Sequence, residues 1–260
     1  LRNLGSGSAS IVKLMYQIED QKLYAIKMQT YIEKESEEYL TREYNNYLQI
    51  NYPLLPKLYG IYKFQNKYYL KIQFINGKTL YDLENNEFTI ETKLSIILQL
   101  IHIIKYFHDN GFVYRDLKPT NIIIDENNTV FVIDFDRMIR NNSKDSENSK
   151  DDKNHTNEFS KFSAPEVNDG QITTKNDIYS LGKIIEYIFD NKDEINTNKI
   201  NSTIMEYCQS FIDENPNNRR SIFDILYVFN SIFSSQINSM SIRFTPEMKF
   251  LKYLLLHNQN

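Results

Sequence analysis

The sequence predicts an α+β fold in two lobes, a small one built on an antiparallel β-sheet with one main helix and a larger one that is mainly α-helical. Three observations carry this expectation. The first 75 residues are mostly period-two strand patterns with a single helix-period segment among them. After "NGKTL" (76–80) the pattern turns helical, over 91–109 and again from 174 to 233. Breaks rich in proline and asparagine separate the periodic stretches, at "NYPLLP" (51–56) and "NPNN" (215–218), and an Asn-Lys-Asp cluster at 190–202 reads as a loop.

In chain order, "SIVKLMYQI" and "KLYAIKM" are strands divided at "EDQ", with Tyr24, Ile26 and Met28 on one face and Ala25 and Lys27 on the other. Residues 33–49 form a helix that aligns Tyr39, Glu43 and Tyr47, and the prolines that follow stop it. "KLYGIYKF" and "KYYLKIQFI" make a hairpin around Gln65-Asn66. A second strand pair falls at 122–124 and 130–133. Residues 141–158 contain no apolar side chain, so nothing in them offsets the entropy of ordering. The tail, 234–260, ends in an apolar run suited to packing on its own domain or, less simply, on a partner.

A chain of 260 residues with 41% hydrophobic composition can bury a sizeable core, and one or two domains are expected. A net charge of −4 argues against a nucleic-acid partner, which calls for a basic face. The single cysteine, Cys208, excludes an internal disulfide framework and fits a reducing, cytoplasmic setting; its apolar surroundings read as a buried, inert thiol. The four histidines have no metal-ligand spacing with it. No secretory signal is visible, and the longest apolar stretch, 94–107, carries His102 and Lys105 and is too short to span a membrane. The chain opens at Leu1 and enters a glycine motif almost at once, so a piece of a longer protein is expected.

The chemistry concentrates in "VYRDLKPTNIIIDENNTVFVIDFD" (113–136). With the hairpin tip centred between Asn127 and Asn128, Asn121 falls directly opposite Asp134, at the roughly 5 Å of a cross-strand pair. An amide oxygen and a carboxylate so placed suit Mg²⁺, although simple capping of the hairpin's open end explains two polar residues equally well. Asp116 and Lys118 sit in the loop just before Asn121. An aspartate there can accept or orient a hydroxyl proton, and the lysine can balance phosphate charge. Acid, ammonium and metal ligands together point to phosphoryl transfer. The glycines of "LGSGSASIV" (4–12) allow a backbone to approach phosphates, and a flexible turn accounts for them as readily. Lys27, on the strand face shared with Ala25, needs a partner if buried, and Glu43 on the helix is one.

These motifs, in this order, resemble the eukaryotic-type protein kinase family over nearly the whole chain, which implies a bilobal protein-kinase-like fold with a small lobe at 1–72, a hinge at 73–77, a large lobe at 78–233 and a tail at 234–260. The resemblance implies ATP and Mg²⁺ as cofactors and a protein hydroxyl as acceptor. By it, Gly5, Gly7 and Val12 belong to the glycine-rich loop, and Lys27 of "AIK" pairs the α/β-phosphates with Glu43, which stands ten residues before Pro53. Ile72 is the gatekeeper, the Gln73–Ile75 backbone meets adenine, and Ala25 and Ile123 line the nucleotide. Asp116 of "YRDLKPTN" is the catalytic base, Lys118 meets the γ-phosphate, and Asn121 and Asp134 hold the metal. "SAPE" (163–166) resembles the end of the activation segment, Asp177 of "DIYSLG" the brace of the catalytic loop, and Arg219 the partner of Glu166. The Asp-x-Lys form resembles Ser/Thr kinases. Arg115 resembles the phosphate-binding arginine of kinases switched by loop phosphorylation, with Thr156, Ser160 and Ser163 as acceptors.

The sequence departs from the pattern at several positions. Tyr114 replaces a histidine and Ser10 the third loop glycine. Asp136 replaces the glycine of the metal motif, which implies a stiffer segment or added charge near the metal, and activity equal or higher on return to glycine. Phe159 stands where a threonine is expected. Asp177 and Arg219 are close in sequence, which leaves little room for a docking helix between them. Two other readings stay open: a pseudokinase acting as a nucleotide-binding scaffold, weighed against by the intact Lys27, Glu43, Asp116, Asn121 and Asp134, and a small-molecule kinase on a related fold, weighed against by "APE" and "DIYSLG".

Overall fold

The alternating runs at the start of the chain pair as the sequence predicts, giving β1 (Arg2–Ser6), β2 (Ser10–Gln17) and β3 (Lys22–Gln29). The structure, a computed structural model, describes residues 2–6, 10–30, 34–83, 88–141, 160–189 and 199–239. Helix α1 (Lys34–Tyr47) follows, then β4 (Leu58–Phe64) and β5 (Lys67–Gln73). The five strands form one antiparallel sheet in the order β1-β2-β3-β5-β4. The β4–β5 turn is two residues, with Gln65 at φ 47° and Asn66 at φ 57°, the left-handed pair a tight hairpin demands. Central β3 is buried on both faces, so Tyr24, Ala25, Ile26 and Lys27 are all shielded. α1 lies against the sheet and turns Leu40, Glu43, Asn46 and Tyr47 inward at helical spacing. α1 ends at Tyr47, six residues before Pro53, so the prolines are not what stops it, and the loop beyond it reaches the larger lobe. There Tyr106 accepts a hydrogen bond from Asn51 N at 2.7 Å and stacks on Tyr52.

The larger lobe begins with β6 (Gly77–Thr79) and is organised on α2 (Ile90–Asp109), whose N-terminus is capped by Thr89 accepting from Thr92 N at 3.3 Å. α2 is apolar around most of its girth, with Leu94, Ile97, Leu100, Ile101 and Ile104 fully buried, because neighbours surround it. Those neighbours include α3 (Thr174–Ile188) and α5 (Ile222–Ser239); α4 (Lys199–Gln209) packs on α3. Cys208 on α4 is buried, and burial pushes its thiol up. A Cβ on Gly182 of α3 would lie 2.6 Å from Ile212, so only glycine lets that chain pass so close. Among the described residues no helix is long and apolar enough to cross a membrane.

Between the lobes, β7 (Phe112–Val113) pairs with β10 (Ile139–Arg140), and β8 (Ile122–Asp125) lies between β6 and β9 (Val130–Val132). Here the structure corrects the predicted register. Ile122 faces Val132 and Ile124 faces Val130, so Asn121 stands beside Ile133, whose N–H it accepts at 3.0 Å, and not opposite Asp134. The cause is the turn. Asp125 Oδ1 accepts from Asn127 N and Thr129 N, and Asn128 takes φ 59°, which closes a three-residue loop in place of a symmetric tip. The predicted loop at 190–202 is also too long, since α4 has begun by Lys199, and α5 continues to Ser239 past the expected lobe end at 233. Most of 141–158 and of the tail lies outside the described residues.

One buried group makes stability depend on pH. His102 sits inside α2 with 4% exposure, and its Nε2 has no hydrogen-bond partner among the described residues. Burial, with Lys105 nearby, lowers its pKa from 6.5 to about 4. The unfolded chain takes up a proton that the folded one refuses, so the contribution is intact above pH 6.5 and is lost as pH falls toward 4, by about 3 kcal/mol in all. His102→Leu is therefore expected to flatten the difference in melting temperature between pH 7 and pH 4.5, measured by circular dichroism against wild type.

Candidate active site

The loop between β7 and β8 is fixed by one buried carboxylate. Asp177, at the start of α3, accepts from Tyr114 N at 2.9 Å, Arg115 N at 2.8 Å and His108 Nε2 at 2.9 Å. These bonds hold Arg115 at φ 71°, a backbone angle uncommon outside glycine and found where geometry is tightly determined. Beyond it, Lys118 Nζ donates to both oxygens of Asp116, at 2.9 and 2.8 Å. Asn121 Nδ2 donates to the Asp116 carbonyl at 3.0 Å and to its carboxylate at 2.7 Å. The acid, ammonium and amide singled out in the sequence therefore form one hydrogen-bonded group.

The small lobe contributes Lys27. Its ammonium lies 2.7 Å from Glu43 on α1 and 2.7 Å from Asp134 after β9. Burial alone would lower its pKa, but the carboxylates of Asp134 and Glu43 outweigh it and hold Lys27 well above the usual lysine value. Burial works the other way on Asp134, where Lys27 outweighs it and keeps the carboxyl below the ordinary range. Asp134 has φ 69°, which turns its side chain back toward Lys27 and Asp116.

Asp136, in place of a glycine, implies either a stiffer segment or added charge near the metal. It is not among the residues at positive φ, so the aspartate brings no backbone strain; the left-handed angle falls on Asp134. Its effect is electrostatic. Asp116, Asp134 and Asp136 each offer a carboxylate oxygen within 4.8 Å of the others. Burial, with Asp134 beside it, pushes Asp136 well above the ordinary carboxylate range. Glu43 and these three carboxyls face two ammonium groups, so fully ionised the group carries excess negative charge. Hard oxygen donors in this number fit Mg²⁺. Asp134 and Asp136 would hold it, with the Asn121 amide oxygen, since the amide nitrogen is committed to Asp116.

An apolar shelf adjoins this polar group. Ala25 pairs with Ile72 across β3 and β5, and Val12 packs on the same core. Ile123 faces Phe131 on the β8–β9 pair, and Gln73 ends β5 with its N–H bonded to the Lys57 carbonyl at 2.8 Å. Ile75 is buried, and its carbonyl accepts from Gly77 N at 3.1 Å. A Cβ on Gly77 would strike the Ile124 carbonyl, so the chain can pass β8 there only as glycine. Gly5 lies on β1, opposite Val12. Gly7 is outside the described residues.

With this geometry in place, comparison with known proteins is decisive. Residues 1–252 match the family model for the protein kinase domain. The chain belongs to the protein kinase family. It is 27% identical to a probable serine/threonine-protein kinase KIN1 homolog of Encephalitozoon cuniculi, over 96% of this chain and 49% of that protein. It is 29% identical to a developmentally-regulated protein kinase 1 of Dictyostelium discoideum, over 51% of this chain and 19% of the relative. Similarity to a CBL-interacting protein kinase 21 of Oryza sativa is 29% over 71% of this chain and 36% of the relative. The chain thus spans half or less of the length of these relatives.

Two further parts of this kinase domain are in place. Arg219 and Glu166 form a buried bidentate pair, Nη1 to Oε1 at 2.6 Å and Nη2 to Oε2 at 2.8 Å. Arg219 also donates to the carbonyls of Asp213 and Lys175, and Asn176 donates to Glu166 at 2.6 Å. Ser163 is exposed; Thr156 and Phe159 are outside the described residues, as is the side chain of Ser160. The sequence reading missed Asn46, His108 and Asn176 as polar anchors. Asn46 had left a signal, a polar residue one turn after Glu43 on the buried face of α1. Arg219→Ala is expected to cost about 3–5 kcal/mol in urea unfolding, because Glu166 is left charged and buried. Arg219→Lys should recover little of that loss, since an ammonium cannot reproduce the fork.

Proposed function

We propose that this chain is the catalytic domain of an ATP- and Mg²⁺-dependent protein kinase that phosphorylates serine or threonine hydroxyls. The observation that carries this reading is the convergence of Lys27, Glu43 and Asp134 with the Asp116–Lys118–Asn121 group on one cleft between the lobes. The Asp-x-Lys pair and the similarity to a probable serine/threonine-protein kinase support serine and threonine over tyrosine.

In this mechanism Lys27, fixed by Glu43, orients the α- and β-phosphates of ATP, whose adenine rests on the shelf of Ala25, Ile72 and Ile123. Asp116 receives the proton of the acceptor hydroxyl as its oxygen bonds to the γ-phosphorus and the bond to the β–γ bridging oxygen breaks. Lys118 balances charge on the phosphoryl group in flight. Magnesium, when bound, neutralises the charge on the phosphate oxygens. Asn121, Asp134 and Asp136 would supply its oxygen ligands, and the Asn121 amide hydrogen bond at 2.7 Å fixes the Asp116 carboxylate.

The test is phosphate transfer from labelled ATP to a generic serine- and threonine-rich protein in the presence of Mg²⁺. Asp116→Asn is expected to lower kcat by about 10²–10⁴-fold, and Lys27→Met to lower kcat/KM for ATP. A wild-type rate equal to that of Asp116→Asn would overturn the proposal. At saturating Mg²⁺, Asp136→Gly should turn over as fast as wild type or faster, while its half-saturating Mg²⁺ concentration rises several-fold, read from a magnesium titration of the initial rate.

A further inference from the structure

The segment from Ile133 to Met138 is held largely through its main-chain carbonyls. Tyr114 donates its hydroxyl hydrogen to the Ile133 carbonyl at 2.5 Å, and Arg115 donates to the Arg137 carbonyl at 3.3 Å. Both donors come from the larger lobe. Two more carbonyls are gripped from the small lobe. Asn46 Nδ2 donates to Phe135 O at 2.6 Å and to Met138 O at 2.9 Å.

Those two oxygens are the ends of a β-turn, closed by Met138 N donating to Phe135 O at 3.2 Å, with Asp136 and Arg137 at its centre. One amide group thus spends both its hydrogens on one turn. Asn46 is 7% exposed, so its polar atoms have little access to water. A leucine would fill the same space at the helix–core boundary without any need for partners. An amide at that place is explained by the turn it binds.

Asn46 also lies one helical turn from Glu43, on the same face of α1. α1 therefore reaches the metal-binding segment in several ways, one of them a hydrogen bond that the Glu43 carboxylate accepts from the Phe135 backbone N–H. Another connection runs through charge, from Glu43 to Lys27 to Asp134. A third runs from Asn46 directly to the backbone after Asp134, and involves neither a charged group nor a bound ligand. Tyr47, the next residue on the helix, adds an edge-on contact to the Phe135 ring at 4.7 Å.

We propose that Asn46 is a positioning residue that makes α1 and the turn carrying Asp136 one mechanical unit, so that movement of α1 moves the Asp134 and Asp136 carboxylates with it. The proposal rests on the kinase reading for its effect on catalysis, but the clamp itself is a property of the ligand-free chain. Asn46→Leu keeps approximate size and removes both donors. Asn46→Asp keeps shape and replaces the donor with an acceptor, and it serves if the leucine variant does not fold.

The experiment has two arms. In the first, amide hydrogen exchange is followed by NMR on ligand-free protein. The Asn46 side-chain hydrogens of wild type should exchange slowly, and the Met138 amide should exchange about tenfold faster in either variant while α2 amides are unchanged. In the second, the variants should need several-fold more Mg²⁺ for half-maximal phosphotransfer and approach the wild-type kcat when it is saturating. Fast exchange of the wild-type Asn46 side chain, or an unchanged Met138 amide, overturns the clamp. Faster exchange with an unaltered Mg²⁺ requirement overturns the positioning role and leaves a merely structural bond. Absence of phosphotransfer in wild type defeats the kinase reading, and the exchange arm then still decides the clamp.

Discussion

Lys27 holds the site together. Its ammonium sits between carboxylates from α1 and from the segment after β9, so one charge joins the sheet, the helix of the small lobe and the floor of the cleft. A buried ammonium without partners would shed its proton, and the buried Glu43 carboxylate and the partly buried Asp134 carboxylate would repel without a cation. Each of the three groups is tolerable only because the other two are present. The charge balance therefore demands that β3, α1 and the Asp134 segment occupy these relative positions, which also brings together the candidate site.

The larger lobe provides the rigid reference against which that arrangement is defined. Asp177 accepts three hydrogen bonds from α2 and the loop after β7, and so imposes an uncommon backbone angle on Arg115. Arg219 and Glu166 anchor the segment ahead of α3 in the same manner, with a fork of paired bonds in a dry interior. In both cases the strain or desolvation is borne by a helix that is itself packed against the apolar α2.

Much of this was legible in the residues. Strand alternation gave β2, β3 and the β4–β5 hairpin nearly to the residue, because half-buried sheets impose a period of two and the Gln65-Asn66 turn has its own chemistry. The partnership of Lys27 with Glu43 and of Arg219 with Glu166 followed from ordered motifs. The register of β8 and β9 did not, since Asp125 captures two turn amides and shifts the pairing by one residue, a local choice invisible to a count of apolar positions. Strands of two or three residues such as β6, β7 and β10 are too short to show a period. Asn46 and Asp136 act through neighbours about ninety residues or more away in the chain or through a shared cluster, and only the assembled structure brings those neighbours together.

The placement of Cys208 has a practical outcome. The chain's one thiol is fully buried on α4, the helix that packs on α3, where an alkylating reagent cannot approach it. Native molecules should resist labelling, and every adduct that forms marks a molecule whose helical layer has come apart. The protein therefore carries an intrinsic clock for its own large-scale opening, which can be read in dilute solution without engineering a probe.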